Sequence, residues 1–315
     1  MKAEIKKQII EALEAWMAEH KVSQNEIAKR SGVNASYIME MRKGNESITT
    51  SEGKEIIFSD KHYEKIAELI GFQLRKTYWE TQPTEQLLEI MSILEDAKNY
   101  GYTNTIIGDT GCGKSFAIEL FKLRNPNDVF VVTVSQLDNI GDLLDKIIDL
   151  LNIVPAKTKS KKMKAIVSRL RDIKLNGNSP MIVFDECEYM KQPALCAMKE
   201  MYDNLNKYCA IVLVGHYQLI TNIERLRKKS KDGIPQLYRR IKFGIRYLSP
   251  IDRKYGLFLK SIDNKCLCKF LQAECENYGE LHDVLVPALR ESDRTGEPVS
   301  EEFVRRLLNI PVLPW

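Results

Sequence analysis

Residues 108–115 read Gly-Asp-Thr-Gly-Cys-Gly-Lys-Ser, and this stretch decides the fold. An apolar run at 103–107 precedes it, and a helical pattern at 114–123 follows it. The pattern G-x-x-x-x-G-K-[ST] between a strand and a helix lets backbone N–H groups surround phosphates at a helix N-terminus, where the dipole favours negative charge. We therefore predict a phosphate-binding loop, the P-loop, in a parallel α/β domain.

The residues of the P-loop have different expected roles. Lys114 is expected to reach the β- and γ-phosphates of ATP, and the hydroxyl of Ser115 is expected to hold Mg²⁺. The other residues expected to bind the nucleotide, in the loop and directly after it, are Gly108, Asp109, Thr110, Gly111, Cys112, Gly113 and Phe116.

A second apolar run, at 181–186, reads Met-Ile-Val-Phe-Asp-Glu and ends in two carboxylates. At the end of a strand, Asp185 is suited to orient the Mg²⁺ shell, and Glu186 is suited to polarise the attacking water. An adjacent Asp and Glu are common in proteins, but a pair that ends a buried strand downstream of a P-loop is a strong signal. The pair predicts hydrolysis of ATP rather than binding alone.

Two further catalytic candidates follow later in the chain. His216 follows an apolar run, 211–214, that we expect beside the strand that ends in Asp185, so its imidazole is a candidate to sense or orient the water. Arg239 and Arg240 precede the last predicted strand, and one of them is a candidate arginine finger for a neighbour's nucleotide. A satisfied loop histidine and an exposed basic surface are the respective alternatives.

The remaining pattern predicts three domains. After residue 102, apolar β-type runs alternate with helical patterns, which is typical of parallel strands in a sheet that helices cover on both faces. We predict an α/β fold with a five-stranded parallel sheet, its strands at 103–107, 129–134, 181–184, 211–214 and 245–248. Helical patterns between these strands lie at 114–123, 140–151, 161–175 and 193–206. The predicted domains are a helical N-terminal domain (1–72), the α/β core (73–250), and a helical lid with a C-terminal tail (251–315).

The N-terminal domain reads as a small all-α helix-turn-helix domain, with helical patterns at 5–20, 24–31, 35–43 and 62–70 and a polar loop at 45–53. Ser23 and Glu26 have the spacing of a capping box, and Gly32 permits a tight turn. Val33 and Ile38 are expected in the core. The residues then expected to face a DNA groove are Asn34, Ala35, Ser36, Tyr37 and Arg42, although contact with protein is the alternative.

Composition excludes several classes of protein. A chain of 315 residues with 44% hydrophobic residues is typical of two or three globular domains. Its seven cysteines are odd in number and scattered, which argues against a disulfide framework and favours the cytoplasm. No stretch approaches the roughly 18 apolar residues that a membrane span requires. The apolar end of the tail, Pro-Val-Leu-Pro-Trp at 311–315, is suited to dock on the lid or on a partner.

The positive charge is concentrated in two segments. Residues 155–174 carry eight basic side chains against one acid, and residues 224–246 carry nine against two, whereas the first 80 residues carry 13 of each sign. Such clusters are typical of a surface that binds a polyanion, and a solvated helix face is the alternative. We predict largely non-specific contact with double-stranded DNA through Lys157, Lys159, Lys161, Lys162, Lys164, Arg169, Lys228 and Lys229.

Together these motifs resemble those of AAA+ ATPases, and two features are similar to the Mu B, TnsC and TniB family of transposition proteins. The first feature is the segment Tyr-Trp-Glu-Thr-Gln at 78–82, ahead of the first core helix, and the second is the N-terminal helix-turn-helix. The resemblance implies that Trp79, Glu80 and Thr81 border the adenine. It also implies that Arg240 is the arginine finger, with Arg239 as the alternative.

The lid departs from the family pattern at one position. Where the family often has Gly-x-Leu-Arg, with the arginine reaching the phosphates, this chain has Gly-Glu-Leu-His at 279–282. The phosphate contact would therefore fall to His282, and an imidazole lacks the fixed charge and the fork of donors of a guanidinium.

The resemblance further implies a role in DNA transposition. Proteins of this family form ATP-loaded helical filaments on double-stranded DNA of any sequence, deliver target DNA and activate the transposase. ATP and Mg²⁺ are the implied cofactors, and DNA, the transposase and further copies of the chain are the implied partners, in the cytoplasm of a bacterial host and away from membranes. Two alternatives stay open, which are an AAA+ replication initiator or helicase loader and a nucleotide-switched helix-turn-helix regulator.

Overall fold

The computed structural model of the protein describes residues 3–49, 55–72 and 78–311. The chain forms two compact units, Met1–Thr77 and Tyr78–Trp315. The predicted division into 1–72, 73–250 and 251–315 is finer and stays a prediction, and the apolar tail at 312–315 lies outside the described residues. Within the described ranges, no helix is long and apolar enough to cross a membrane.

The described residues of the first unit form four helices and one short antiparallel pair of strands. The helices are α1 (Ala3–His20), α2 (Gln24–Ser31), α3 (Ala35–Arg42) and α4 (Asp60–Leu69), and the strands are β1 (Ser47–Thr49) and β2 (Glu55–Ile57). The first strand of this pair lies inside the loop predicted at 45–53. The sequence analysis predicted only helices for this domain and therefore missed both strands. The strands are three residues long and carry no strong alternation of apolar and polar residues, so they leave little signal in the sequence.

Local chemistry fixes the turn between α2 and α3. The hydroxyl of Ser23 accepts the N–H of Glu26 at the start of α2, and Gly32 ends the helix with a φ of 67°, in the left-handed region that favours glycine. The reciprocal half of the predicted capping box does not form, because the Glu26 carboxylate pairs with Arg30. Ile38 is buried in the core of the unit, as predicted.

The second unit is built on five parallel strands. They are β3 (Thr103–Ile107), β4 (Val129–Thr133), β5 (Met181–Asp185), β6 (Ala210–Gly215) and β7 (Ile245–Tyr247). Their spatial order is β4-β5-β6-β3-β7, so β6 lies between the strand that precedes the P-loop and the strand that ends in Asp185. The predicted five-stranded parallel sheet is confirmed, as is the pairing of β6 with β5.

Helices cover the sheet and form the lid. They are α5 (Glu85–Tyr100), α6 (Lys114–Arg124), α7 (Ile140–Leu150), α8 (Lys159–Leu175), α9 (Gln192–Leu205), α10 (Tyr217–Lys228), α11 (Ile234–Ile241), α12 (Gly256–Leu259), α13 (Lys265–Glu274), α14 (Tyr278–Thr295) and α15 (Glu301–Leu308). The sequence prediction gave no bounds for α5, and it treated α10 and α11 only as basic surface.

Alternate side chains of each strand enter different cores. On one face, apolar side chains of the sheet pack against α5 and α6, and on the other they pack against α7 to α11. This two-sided burial explains why the strands read as continuous apolar runs. The lid helices α12 to α15 pack around a core of their own, centred on buried aromatic and leucine side chains such as Phe270 and Leu281.

Candidate nucleotide site

The site lies where β3 and β5 end, because the carboxyl ends of parallel strands meet at one edge of the sheet. The P-loop joins β3 to α6, and two of its glycines have backbone conformations that favour glycine, with φ of 72° at Gly111 and 92° at Gly113. Gly108 has no room for a side chain, since a Cβ there would lie 2.6 Å from Cδ1 of Leu248. The sequence therefore shapes this loop by steric necessity.

The side chains of Lys114 and Ser115 both make hydrogen bonds within the site. The Lys114 ammonium donates to the carbonyl oxygens of Gly108 at 2.9 Å and Asp109 at 2.7 Å, so it lies folded over the loop. The Ser115 hydroxyl donates to Oδ2 of Asp185 at 2.6 Å. Hydroxyl and carboxylate oxygens are ligands that Mg²⁺ prefers, so this pair fits a magnesium ion that also contacts phosphates.

Three carboxylates lie together at the end of β5. Glu186 has a φ of 59°, which turns the chain sharply after the strand, and its N–H donates to Oδ1 of Asp185 at 2.9 Å. Partial burial, followed by the negative charges of Asp185 and Glu188, raises the pKa of Glu186 above its ordinary value. A carboxylate with a raised pKa binds a proton more readily, which suits a group that polarises water.

Glu188 was not predicted, although it lines the same cavity. Its Oε2 accepts the backbone N–H of His216 at 3.2 Å, and it lies so close to Gly215 that a Cβ there would be 2.6 Å from Oε2. Glu188 thereby joins the turn after β5 to the end of β6. The only sequence signal for Glu188 is its position two residues after Glu186.

A cavity of about 600 Å³ extends from the P-loop to the lid. From the predicted adenine segment, Trp79 and Thr81 line it, but the exposed Glu80 does not. Phe258 stacks on Trp79 with ring centres 4.4 Å apart, and His282 meets the edge of the same ring at 5.2 Å. His282 therefore reaches the cavity as predicted, beside an aromatic slot suited to a flat base.

Two lid aromatics of this slot escaped the sequence analysis. Phe258 and Tyr278 both line the cavity, and their rings lie 5.3 Å apart. They stand more than 140 residues from the P-loop, and although Tyr278 directly precedes the lid segment at 279–282, neither belongs to that pattern. Their aromatic character was the only available signal, and it does not distinguish a ligand contact from a core position.

The predicted position of His216 requires correction. Its Nδ1 accepts the N–H of Gln218 at 3.5 Å at the start of α10, and the cavity is lined by the preceding Gly215 instead. The imidazole serves as a helix cap because it follows β6 directly and precedes a helix that the sequence reading did not bound.

The two candidate arginine fingers have different surroundings. Arg240 donates to Asp203 at 2.5 Å and to the carbonyl of Gln236 at 2.8 Å, and its guanidinium lies over the ring of Tyr202. Arg239 is exposed and has no hydrogen-bond or ion-pair partner among the described residues. Arg239 is therefore the freer side chain of the two, and the role of arginine finger stays a prediction for both.

The predicted DNA contacts of the α/β unit separate into two groups. Lys162 pairs with Asp145 at 2.5 Å and is half-buried. The other predicted contacts are exposed, namely Lys157, Lys159, Lys161, Lys164, Arg169, Lys228 and Lys229, and Arg169 also lines a concave surface near the end of α7. DNA contact stays a prediction for all of them.

The predicted groove face of α3 is also largely engaged within its own unit. Asn34 caps α3 by accepting the N–H of Ser36 at 2.9 Å. The ring of Tyr37 packs on Phe58, with centres 5.2 Å apart, and Arg42 donates to Glu14 at 3.3 Å. Asn34, Ser36 and Arg42 are nevertheless exposed, whereas Ala35 and Tyr37 are half-buried, and contact of this face with DNA or with protein stays a prediction.

Comparison with known proteins agrees with the fold and the site. Residues 99–223 match the AAA domain family. A relative from Haemophilus influenzae, the Mu-like prophage FluMu DNA transposition protein B, is 27% identical over 221 residues, which cover 69% of this chain and 72% of that protein.

Solved structures with a similar fold include Cdc6p from Pyrobaculum aerophilum and the ORC2 protein from Aeropyrum pernix. The first has a TM-score of 0.55 at 16% identity and covers 74% of this chain and 68% of that chain. The second has a TM-score of 0.52 at 14% identity and covers 71% of this chain and 67% of that chain. At these identities the likeness concerns the fold alone.

The parallel sheet with its P-loop, the carboxylates that end β5 and the helical lid have the fold of AAA+ P-loop ATPases, and together with the match of residues 99–223 to the AAA domain family they indicate an ATPase. Within the class, the predicted resemblance to the Mu B type is confirmed by the similarity to the prophage protein B.

Proposed function

We propose that this chain is the ATP-dependent DNA-binding ATPase of a Mu-type transposition system. It binds ATP with Mg²⁺, assembles as a helical homo-oligomer on double-stranded DNA with little sequence preference, delivers target DNA and activates a transposase. It acts in the cytoplasm of a bacterial host. The observation that carries the proposal is the bond between the P-loop Ser115 and Asp185 at the end of β5, in a chain that is similar to a transposition protein B over 69% of its length.

The residues of the site suit the hydrolysis of ATP. Lys114 and the P-loop N–H groups bind the phosphates, while Ser115 and Asp185 would hold Mg²⁺, which supplies positive charge against the phosphate oxygens. Glu186 stands next to Asp185 and polarises the attacking water. Trp79 and Phe258 hold the base from the side of the lid.

The site offers few cations of its own to the γ-phosphate. Among the described residues that line the cavity, Lys114 and His282 are the only basic side chains. Arg239, exposed at the end of α11, is the side chain best placed for donation to the site of the next copy. A site completed in this way would make hydrolysis depend on assembly.

DNA binds, in this proposal, along the outer face of α8. Lys159, Lys161 and Lys164 are exposed there, and Lys157 precedes the helix. Lys228 and Lys229 add exposed charge at the end of α10. Each copy makes only a few phosphate contacts, but copies in a filament on one duplex add them together, so binding is strong and sensitive to salt.

The N-terminal unit has a different role in this proposal. Most of the predicted groove residues of its helix-turn-helix make contacts within the unit, and the numbers of its basic and acidic side chains are equal. A unit with so little attraction for phosphates is suited to a supporting contact with DNA or with the transposase rather than to the main one.

Electron microscopy and fluorescence anisotropy with two duplexes of unrelated sequence test the proposal. We expect filaments on both duplexes with ATP and none with ADP, together with affinities that agree within a few-fold. One tight site with no filaments would favour a nucleotide-switched regulator. Assembly restricted to an origin sequence or to a helicase would favour a replication initiator or loader.

A further inference from the structure

The side-chain amide of Gln86 lies at a junction of three segments. It is the second residue of α5 and is 1% exposed. Its Oε1 accepts the hydroxyl of Tyr278 at 3.0 Å, while its Nε2 donates to the carbonyl oxygens of Ser249 at 3.0 Å and Pro250 at 2.8 Å. Both N–H groups and the oxygen of the amide are therefore bonded, which is what a buried amide requires.

These partners connect the nucleotide cavity to the lid. Tyr278 opens α14 and lines the cavity, and Ser249 and Pro250 follow β7 on the way to the lid. Glu89, one turn further along α5, accepts the N–H of Ser249 at 2.9 Å and its hydroxyl at 2.7 Å. The Ser249 hydroxyl also donates to Glu85 at 3.1 Å, so three side chains of α5 hold the start of the lid.

The residues around Gln86 also belong to the wall of the cavity. Thr84 and Leu87, on either side of it in sequence, line the cavity. On the lid, the ring of Tyr278 packs on Phe258, which in turn stacks on Trp79. The bond between Gln86 and Tyr278 therefore links α5 to the row of aromatic contacts that forms the slot.

We propose that the hydrogen bond from Tyr278 to Gln86 is a latch that holds the lid closed over the bound nucleotide. Gln86 acts through Tyr278 and is a positioning residue. The latch couples lid closure to α5, which suits a lid that has His282, at the edge of the Trp79 ring, where the family often has an arginine. The inference rests on the proposed nucleotide cavity.

The position of the latch determines which measured quantities it affects. The bond itself lies on the side of the slot for the base, whereas the next residue of α14, Gly279, donates its N–H to the carbonyl of Gly111 in the P-loop at 3.3 Å, a contact that does not involve the Tyr278 hydroxyl. Loss of the hydrogen bond between Tyr278 and Gln86 should lower the affinities for ATP and for ADP by the same factor. It should also raise KM for ATP and leave kcat within twofold. A net hydrogen bond corresponds to about a 3- to 10-fold change in affinity.

The test compares Tyr278→Phe with a matched control, Tyr255→Phe. Each change removes one hydroxyl from a lid tyrosine, but the Tyr255 hydroxyl donates to the carbonyl of Cys275 at 2.7 Å, inside the lid. Affinities for fluorescent ATP and ADP analogues, kcat and KM are measured on the full chain, with thermal melting to confirm folding. The emission of Trp79, in a chain with Trp16→Phe and Trp315→Phe, reports the contact with Phe258.

The expected result is that Tyr278→Phe weakens both nucleotides about 3- to 10-fold and changes Trp79 emission in the bound state, while Tyr255→Phe does neither. The proposal is overturned if the two variants behave alike, or if Tyr278→Phe lowers kcat with KM unchanged. The variant Lys114→Ala distinguishes failure of the proposed nucleotide site from failure of the latch. If it keeps full nucleotide affinity, the cavity is not the nucleotide site and the latch is overturned with it. If it loses affinity while Tyr278→Phe matches the unchanged chain, only the latch is wrong.

Discussion

Replacing three lysines of α8 by alanine should remove most of the affinity for DNA. Lys159, Lys161 and Lys164 are exposed, and none has a hydrogen-bond or ion-pair partner among the described residues. The matched control is Lys162→Ala in the same helix, because that ammonium pairs with Asp145. The comparison isolates the free outer face of the helix from its net charge.

The magnitude follows from counterion release. Each lysine on a phosphate contributes about 0.9 to the slope of log K against log salt, so three contacts contribute about 2.7 per copy. Between 1 M and 0.1 M salt this amounts to roughly two to three orders of magnitude in affinity. The control variant, Lys162→Ala, loses one partly exposed ion pair, which costs about 0 to 1 kcal/mol of stability. Its slope of log K against log salt should change little.

Fluorescence anisotropy with a duplex of random sequence, between 0.05 and 0.2 M salt and with a slowly hydrolysed ATP analogue, measures both quantities. A nucleotide-binding assay on the same variants shows that the ATP site survives. A triple variant with an unchanged salt slope would refute the placement of DNA on α8. An equal loss in the Lys162 control would show that net charge, and not this face, determines binding.

Three further outcomes test the site. Arg239→Ala should leave thermal stability unchanged and lower DNA-stimulated hydrolysis about a thousandfold, whereas Arg240→Ala should cost about 1 kcal/mol of unfolding free energy through its lost pair with Asp203. Glu186→Gln should keep ATP affinity and lower kcat at least about a hundredfold, as measured by phosphate release. Because the base must be ionised, the rate should fall as pH drops through the raised pKa of Glu186, and Glu188→Gln should move this acid limb to lower pH by removing one of the charges that raise it.

The chemistry of the P-loop and of the end of β5 could be predicted because each is a local pattern. Glycines, Lys114 and Ser115 act within eight consecutive residues, and Asp185 follows an apolar run that can only be a buried strand. Parallel topology then brings the two ends together, which the bond between Ser115 and Asp185 confirms. Nothing beyond the chain order was needed for this step.

Contacts that depend on distant partners could not be predicted in this way. The difference between the arginines is decided by Asp203, on a different helix from Arg240, and the pairing of Lys162 by Asp145 on α7. Both partners are ordinary helix-surface acids in the sequence. Charge counting therefore located the basic segments but could not tell which of their side chains are free.

Contacts between distant residues were hardest to predict on the side of the cavity that is proposed to hold the adenine base. Tyr278 reaches Gln86 from 192 residues away, and neither residue belongs to a motif. A buried glutamine at the start of a helix reads as a polar surface position, because helix periodicity alone does not reveal that the start of the lid covers it.

The steady-state rate of ATP hydrolysis, measured with and without random-sequence duplex DNA, tests the central claim most directly. The account predicts a low rate for the chain alone, a large increase on any duplex long enough to hold several copies, and no increase with Glu186→Gln or Arg239→Ala. A rate that is indifferent to DNA, or that responds to a single sequence only, would contradict a DNA-assembled ATPase of the transposition type.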